Sequence, residues 1–272
     1  MFIDKKIGVI GSGNMAEAIV KGVIRAGIVP PENIVSSDIL EERRKVFRDS
    51  YHVTTTDANV EVVSQAGIII LATKPQTIES VLKEIGDVVD TSKLIISIAA
   101  GVRLKYIEGK LKSGSRVVRV MPNTPALIGE GAAAISPGSR ATEDDLDVVK
   151  KIFDAIGTTV VIEEEYMDAV TGLSGSGPAY VFLVVDALID AGVKVGLRRD
   201  TARTLAVQTV FGSAKMLLET GEHPAKLKDK VTSPGGTTIA GLHVMEAGNV
   251  RAIIMDAVEA ATHRSKVLGQ MS

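Results

Sequence analysis

Cysteine and tryptophan are absent from this chain of 272 residues, and aromatic residues make up only 3% of it. Without cysteine there is neither a disulfide framework nor a thiolate metal site, which is compatible with a reducing cytoplasm. An excess of one charge is lacking too, since 31 Lys and Arg stand against 33 Asp and Glu. There is no basic stripe with interleaved aromatic residues, so we do not expect nucleic acid as a partner.

Long apolar runs are also scarce. The N-terminus has no hydrophobic core of a signal peptide, and we expect no apolar run of membrane-spanning length. The four histidines, His52, His223, His243 and His263, show no metal-ligand spacing, so no metal is expected. These features predict a soluble cytoplasmic protein without a membrane partner.

Strand and helix patterns alternate through the first part of the chain. Short apolar runs predict strands at residues 7–10, 34–37, 68–71, 94–98, 117–120, 132–135 and 159–162. Amphipathic stretches predict helices at residues 15–26, 41–48, 60–64, 78–85, 104–111 and 144–156. This alternation is typical of an α/β domain with a mostly parallel sheet covered on both faces.

A glycine-rich turn follows the first predicted strand and opens the first predicted helix. Residues 11–16, GSGNMA, have the G-x-G-x-x-A spacing of a dinucleotide-binding unit. Gly11 permits the tight turn, Gly13 lets the backbone approach a pyrophosphate, and Ala16 lets helix and strand pack closely. We interpret the motif as a Rossmann-like nucleotide site rather than a structural turn.

Asp38, directly after the second predicted strand, bears on the choice of cofactor. An acid at this place binds the ribose 2′-hydroxyl of NAD and disfavours the 2′-phosphate of NADP. Ser36 and Ser37 suit either form, and Arg43 and Arg44 follow a turn later. The pattern fits NADH and leaves NADPH open.

Strand patterns end at about residue 165. Residues 166–195, 200–220 and 250–268 have helical patterns, the first interrupted at residues 175–178. These helices carry apolar or small residues on more than one face, which a short segment cannot bury alone. We therefore predict a dinucleotide-binding domain over residues 1–165 and an all-α domain over residues 166–272 that builds a homo-oligomer.

The segment SPGGTT, residues 233–238, precedes an apolar helical pattern. Ser233 is a favoured N-cap and Pro234 suits the first helical position, so we expect a helix to begin there. Bare N–H groups at a helix N-terminus bind carboxylate or phosphate, and Thr238 adds a hydroxyl one turn in. The segment is either an anion cradle or an ordinary capped helix.

Three further blocks carry a family resemblance: RVMPNTPALIGEG at residues 119–131, LSGSGPAY at 173–180 and DKVTSPGGTT at 229–238. With the glycine-rich turn, they make the chain resemble Δ1-pyrroline-5-carboxylate reductase over nearly its whole length. The resemblance implies hydride transfer from NADPH or NADH to the C=N carbon of 1-pyrroline-5-carboxylate, the last step of proline biosynthesis. It also implies that the helical domains of two subunits interlock, with each active site between one subunit's dinucleotide domain and its partner's helices.

The resemblance also implies roles for individual residues. Thr238 is the catalytic residue that hydrogen-bonds the ring nitrogen, and Ser176 is a candidate for lining the substrate pocket. The substrate carboxylate is held by the loop residues Ser233, Gly235, Gly236 and Thr237. The expected cofactor contacts, with Asp38, are Ile10, Gly11, Ser12, Gly13, Asn14, Met15, Ser37, Asn59, Ala72, Thr73, Lys74, Pro75, Ala99, Ala100, Met121, Pro122 and Asn123.

Two other readings of the sequence compete with this one. A β-hydroxyacid dehydrogenase has a similar layout, but such enzymes place a catalytic lysine in the region that matches residues 170–183, which contain none. A non-catalytic sensor of nicotinamide nucleotides is the second alternative. The intact loop at residues 233–238 disfavours it, because a sensor needs no second cradle for a small anion.

Overall fold

The computed structural model describes residues 5–270. It divides into two compact units, one made of the residues up to Ser176 together with those from Glu259 onward, the other of Gly177–Val258. The first unit is a Rossmann-like α/β domain and the second is all-helical, so the predicted fold class is confirmed. The domain boundary between residues 165 and 166 stays a prediction.

An eight-stranded sheet forms the centre of the first unit. Its strands are β1 (Ile7–Ile10), β2 (Ile34–Ser37), β3 (Thr54–Thr56), β4 (Ile68–Leu71), β5 (Leu94–Ser97), β6 (Arg116–Met121), β7 (Gly131–Pro137) and β8 (Gly157–Val161). The order is β3-β2-β1-β4-β5-β6-β7-β8, and every neighbouring pair is parallel except β6 with β7. Ligands of such doubly wound sheets bind where the strand order reverses, at the carboxyl ends of β1 and β4.

Helices cover both faces of this sheet. They are α1 (Asn14–Arg25), α2 (Glu41–Tyr51), α3 (Asn59–Gln65), α4 (Ile78–Ile85), α5 (Leu104–Lys110), α6 (Glu143–Asp154) and α7 (Met167–Val170). Two apolar clusters result, one containing Val9 and Ile96 and the other Ile69 and Ile95. Adjacent residues of one strand, such as Ile95 and Ile96, thus enter opposite clusters, which explains why the central strands are continuous apolar runs.

The remaining helices are α8 (Gly177–Lys194), α9 (Arg199–Thr220), α10 (Pro224–Lys230), α11 (Thr237–Ala247) and α12 (Val250–Gln270). The helices α8 and α9 form a hairpin around Gly196, whose φ is +101°. They approach closely, since a Cβ added at Gly192 would lie 2.8 Å from Ala202 Cβ. Small residues thus permit the tight packing of α8 against α9.

Large apolar side chains remain exposed on the second unit. Phe182, Leu183 and Leu218 are exposed to 66%, 71% and 87%. The expectation that no stretch reaches membrane-spanning length is wrong for Glu164–Lys194, because this helical stretch of 31 residues is long and apolar enough by length and composition alone. An uncovered apolar surface of this kind also marks a subunit interface.

Two short elements were missed by the sequence patterns. The strand β3 consists of three threonines that are half-buried or exposed, so it lacks the apolar run that signals a strand. The helix α10 has seven residues, four of them charged, and no buried face. Neither element has the hydrophobic periodicity on which a sequence-based assignment depends.

A partly buried ion pair links β6 to the segment before α7. Arg119 is 3% exposed, and its Nη1 donates to Glu164 Oε1 at 3.0 Å. The same carboxylate oxygen accepts the Leu104 N–H at the start of α5, at 2.7 Å. Glu164 therefore joins the strand, the helix and the entrance to α7.

Replacing Glu164 by alanine should lower the free energy of unfolding by about 3–5 kcal/mol, because it leaves the buried Arg119 charge without a partner. Urea unfolding monitored by circular dichroism measures the change. Glu165→Ala removes an exposed neighbouring carboxylate and is the matched control. Equal stabilities of the two variants would show that the pair contributes nothing.

Candidate active site

The glycine-rich turn lies between β1 and α1, at the point where the strand order reverses. Gly11 has φ +96°, and a Cβ there would lie 2.8 Å from the Ala72 carbonyl oxygen, so only glycine fits. Gly13 is the N-cap of α1, and no side chain caps this helix. Its first amide groups therefore have no side-chain acceptor, and they lie at the positive end of the helix dipole.

The space around Gly13 shows whether a dinucleotide could approach this turn. A Cβ built on Gly13 would meet no protein atom within 4 Å, and its backbone is extended with φ −73°. The packing of the chain itself therefore does not require glycine at this position. The open space in front of the backbone and the uncapped amides suit a pyrophosphate.

Asp38 lies at the carboxyl end of β2, against the glycine-rich turn. Its Oδ2 accepts the Ser12 N–H at 2.7 Å, and its Oδ1 accepts the Leu40 N–H at 2.9 Å. Two arginines flank it. Arg43 donates from Nε to the Ser12 carbonyl at 2.6 Å, and Arg44 donates from Nη1 to the carbonyl of Asp38 at 2.5 Å.

Both arginines are already paired with acids. Arg43 binds Glu17 at 2.7 Å and Arg44 binds Glu41 at 2.6 Å. Burial raises the pKa of Glu17, but hydrogen bonds from Arg43 and Tyr51 and the charge of Arg43 outweigh it, so the pKa lies below its ordinary value. Glu17 is thus ionised at neutral pH, and the charge of Arg43 is compensated before any cofactor binds.

Two further predicted cofactor residues meet beside β2. The Ser37 hydroxyl donates to Asn59 Oδ1 at 2.7 Å, and Asn59 Nδ2 donates to Glu84 Oε2 at 2.7 Å. The structure therefore brings together the ends of β2, α3 and α4. The polar atoms of the Asn59 side chain are held by the protein, which fixes its orientation at the rim of the site.

The turn after β4 supplies the next group. The Ala72 N–H donates to the Ile10 carbonyl at 2.8 Å, which joins this turn to the end of β1. The Thr73 hydroxyl is buried and has no hydrogen-bond partner among the described residues. An unpaired buried hydroxyl next to the glycine-rich turn can hydrogen-bond a ligand at this site. Lys74 is exposed beside it.

The end of β6 adjoins a π-helical turn, Thr171–Gly175, which links α7 to α8. Asn123 Nδ2 donates to the Ser174 carbonyl at 3.0 Å. A Cβ added at Gly175 would lie 2.9 Å from Met121 Cε, so the two segments are in close contact. The Ser176 N–H donates to the Thr171 carbonyl at 2.8 Å and closes the turn.

A cavity of about 610 Å³ lies within the first unit, beside the carboxyl ends of β4 and β5. Three of the predicted site residues, Pro75, Ala100 and Ser176, line it together. Its other lining residues include Gln76, Tyr106 and Thr171, with Ser265 and Arg264 from the last turns of α12. Arg264 was missed because one arginine on an amphipathic helix carries no signal in the sequence.

Ser265 is also 5% exposed and donates to Asp168 Oδ1 at 2.6 Å. This bond fixes the end of α12 against α7, and with it the side of the cavity that Arg264 lines. No group of three or more His, Asp or Glu side chains that would hold a metal occurs within residues 5–270.

The loop that precedes α11 belongs to the second unit. The N-cap of α11 is Gly236, so the prediction that Ser233 caps the helix and Pro234 begins it is wrong. The Ser233 carbonyl instead accepts the Gly236 N–H at 3.0 Å, and Gly235 between them has φ +66°. Proline followed by a glycine of positive φ is the pattern of a type II β-turn, which takes precedence over capping here.

The anion cradle stays a prediction after this correction, and the free amides of the helix support it. No side chain caps α11, and within the described chain the amides of Thr237 and Thr238 have no acceptor. Thr238 is half-buried at the second position of the helix. Unpaired amides at the positive end of an 11-residue helix suit a carboxylate, and the Thr238 hydroxyl lies within the same turn.

Two protein-family models match parts of this chain. A model described as pyrroline-5-carboxylate reductase dimerisation matches residues 164–268. A second, described as NADP oxidoreductase coenzyme F420-dependent, matches residues 6–101. The two matches fall on the helical part and on the first half of the sheet, respectively.

Similarity to single proteins extends over the whole chain. The pyrroline-5-carboxylate reductase of Methanosarcina acetivorans is 51% identical, over 98% of this chain and 99% of its own. The structure of the Coxiella burnetii pyrroline-5-carboxylate reductase has a TM-score of 0.93 at 37% identity, covering 98% of this chain and 99% of its own. The Plasmodium falciparum pyrroline carboxylate reductase with NADP bound has a TM-score of 0.89 at 36% identity, covering 99% and 100%.

Proposed function

Because the chain belongs to the pyrroline-5-carboxylate reductase family, we propose that it reduces 1-pyrroline-5-carboxylate to L-proline with NADPH or NADH, the last step of proline biosynthesis. In the geometry, the observation that carries the proposal is the uncapped α1 behind Gly13, at the switch point of the sheet. The match to an NADP oxidoreductase model and the NADP bound in the Plasmodium falciparum relative support the use of a nicotinamide cofactor.

When bound, a reduced nicotinamide would supply a hydride to the carbon of the C=N bond, and the ring nitrogen, protonated before the transfer, would become a neutral amine. A protonated cyclic imine is already a strong electrophile, so the protein needs neither a metal nor a charged acid–base pair. Its residues bind and orient the two reactants, and that orientation accounts for most of the catalysis.

At the substrate end, we assign the carboxylate to the amides that follow Ser233, in the turn Gly235-Gly236 and at Thr237. The unpaired N–H of Thr237 and the dipole of α11 support this assignment, whereas the Gly236 N–H is already bound to the Ser233 carbonyl. We assign Thr238 to the ring nitrogen and Ser176 to the wall of the pocket. The cavity lined by Ser176 together with Pro75 and Ala100 supports the second assignment.

The helical region makes the chain a homo-oligomer, in line with its dimerisation family. We propose that two copies pair through the apolar surface of α8 and its neighbours, the segment where Phe182 and Leu183 are exposed. This pairing also accounts for the membrane-like composition of Glu164–Lys194. A cytoplasmic location and independence from nucleic acid and membrane stay predictions from composition.

A spectrophotometric assay tests the function directly. Absorbance at 340 nm follows the oxidation of NADH or NADPH with pyrroline-5-carboxylate and without substrate. In a separate reaction it follows the reduction of NAD with a β-hydroxyacid. We expect turnover only with the imine. Activity only with the hydroxyacid would favour the dehydrogenase alternative, and cofactor binding without turnover would favour the sensor.

Asp38 points to NADH as the preferred cofactor. A 2′-phosphate would have to approach a carboxylate, while Arg43 and Arg44 are occupied by Glu17 and Glu41. Asp38→Ser should therefore lower the ratio of kcat/KM for NADH to kcat/KM for NADPH by roughly tenfold or more, since like-charge contacts cost several kcal/mol.

The ratio is the measurement of choice for this variant, because any loosening of the glycine-rich turn weakens both cofactors equally. Asp49→Ser, on the exposed face of α2, is the control and should leave the ratio unchanged. An unaltered ratio in Asp38→Ser would mean that Asp38 does not discriminate.

A further inference from the structure

Asn123 occupies the junction where β6 ends and its ladder with β7 stops. The last antiparallel pair of that ladder is Met121 with Ala134, so the register places Asn123 opposite Ala132. At that position the Asn123 side chain takes the place of a main-chain carbonyl as acceptor, since its Oδ1 accepts the Ala132 N–H at 2.8 Å. One end of the amide is thus anchored in the sheet.

The other end of the amide reaches the π-helical turn. Asn123 Nδ2 donates to the Ser174 carbonyl at 3.0 Å. In an α-helix this carbonyl would accept the N–H four residues later, but that residue is Pro178, which has none. The Asn123 amide therefore satisfies an acceptor that the proline leaves without its helical donor.

The π-helical turn that Asn123 holds contributes residues to the lining of the cavity. Ser176 follows Ser174 by two residues and lines the cavity beside Thr171. The Ser176 N–H donates to the Thr171 carbonyl at 2.8 Å, an i→i+5 bond of the π type. Turns of this type are frequent at functional sites.

We propose that Asn123 is a positioning residue, which sets the distance between the end of β6 and the turn that presents Ser176. This inference rests on the proposed reductase function. It assigns Asn123 an action through Ser174 rather than through a side-chain contact with the cofactor. Both ends of its amide are already engaged with backbone groups of the protein.

Asn123→Asp isolates the bond, because aspartate keeps the acceptor for the Ala132 N–H and loses the donor to Ser174. We expect kcat to fall roughly 10- to 100-fold, as for a reactant misplaced by about 1 Å, while the KM for NADH stays within about twofold. The deuterium isotope effect on kcat with NADH deuterated at the transferred C4 position should increase, because hydride transfer becomes rate-limiting. A loss of folded enzyme alone lowers kcat without changing that effect.

A second background makes the route through Ser174 testable. In Pro178→Ala the Ser174 carbonyl regains a helical N–H donor, so Asn123→Asp should lower kcat there by less than about threefold. The same factor in both backgrounds would overturn the proposal. A raised dissociation constant for NADH with an unchanged kcat would also overturn it, because that result indicates direct contact with the cofactor.

Should Asn123→Asp not fold, Asn123→Ser, whose donor is too short to reach Ser174, is measured in the same way, and a wild-type kcat and isotope effect would then refute the inference. The proposed function fails separately, if the unmodified enzyme does not oxidise NADH or NADPH with pyrroline-5-carboxylate. An active wild type with an unaffected Asn123 variant therefore rejects this inference alone.

Discussion

Gly13→Val should abolish saturable binding of NADH and NADPH while the protein still folds. The valine methyl groups would occupy the open space in front of the glycine-rich turn, where no protein atom lies within 4 Å of a Cβ. We expect kcat/KM for the cofactor to fall by about 100-fold or more, equivalent to roughly 2.7 kcal/mol of lost binding. Fluorescence titration with NADH and steady-state kinetics measure the effect.

Stability separates this result from unfolding. The backbone of Gly13 is extended, so valine is tolerated there, although it is a poorer N-cap for α1. We expect the Tm to fall by no more than about 4 °C. Gly109→Val on the exposed side of α5 is the control, since a Cβ there also meets no neighbour. If Gly13→Val binds NADH normally, the pyrophosphate does not lie at this turn.

The sheet was predictable because its strands carry a strong local signal. Residues such as Ile69 and Ile70 belong to an uninterrupted apolar run, and each of the buried parallel strands of this type was found. The glycine-rich turn was predictable too. The positive φ of Gly11 requires glycine, and the G-x-G-x-x-A spacing is visible in the sequence. Local requirements are visible in local sequence.

Features that depend on the competition between local motifs were predicted less well. Ser233 has the chemistry of an N-cap, yet Pro234 and Gly235 favour a β-turn that delays the start of α11 to Thr237. The sequence is compatible with both the N-cap at Ser233 and the β-turn, and the positive φ of Gly235 shows that the β-turn forms. Only the correct choice places the free amides of Thr237 and Thr238 at the helix N-terminus.

Contacts between distant segments were not accessible from the sequence at all. Arg264 reaches the cavity because Ser265, next to it, is bound to Asp168, which is 97 residues earlier in the chain. Likewise Asn123 and Ser174 are 51 residues apart, and neither carries a periodic pattern that announces the bond. Such residues emerge only when packing brings their segments together.

Thr238→Ala should leave the fold and cofactor binding intact and lower kcat by roughly 100-fold, as is typical when a positioned proton donor or acceptor is removed. Thr238 is half-buried in the first turn of α11, and its hydroxyl makes no hydrogen bond with another described residue. It is therefore available for the ring nitrogen, which must carry a proton for the reduction to proceed. Pre-steady-state kinetics with pyrroline-5-carboxylate measure the hydride step directly.

Thr238→Ser provides the decisive comparison, because it restores the hydroxyl without the methyl group. We expect its kcat to lie within about fivefold of the wild type, since only the hydroxyl takes part in proton handling. The backbone amides that hold the carboxylate are common to all three proteins, so the KM for pyrroline-5-carboxylate should change much less than kcat. If alanine and serine at position 238 were equally impaired, the methyl group and packing would matter instead, and the proposed contact with the ring nitrogen would be wrong.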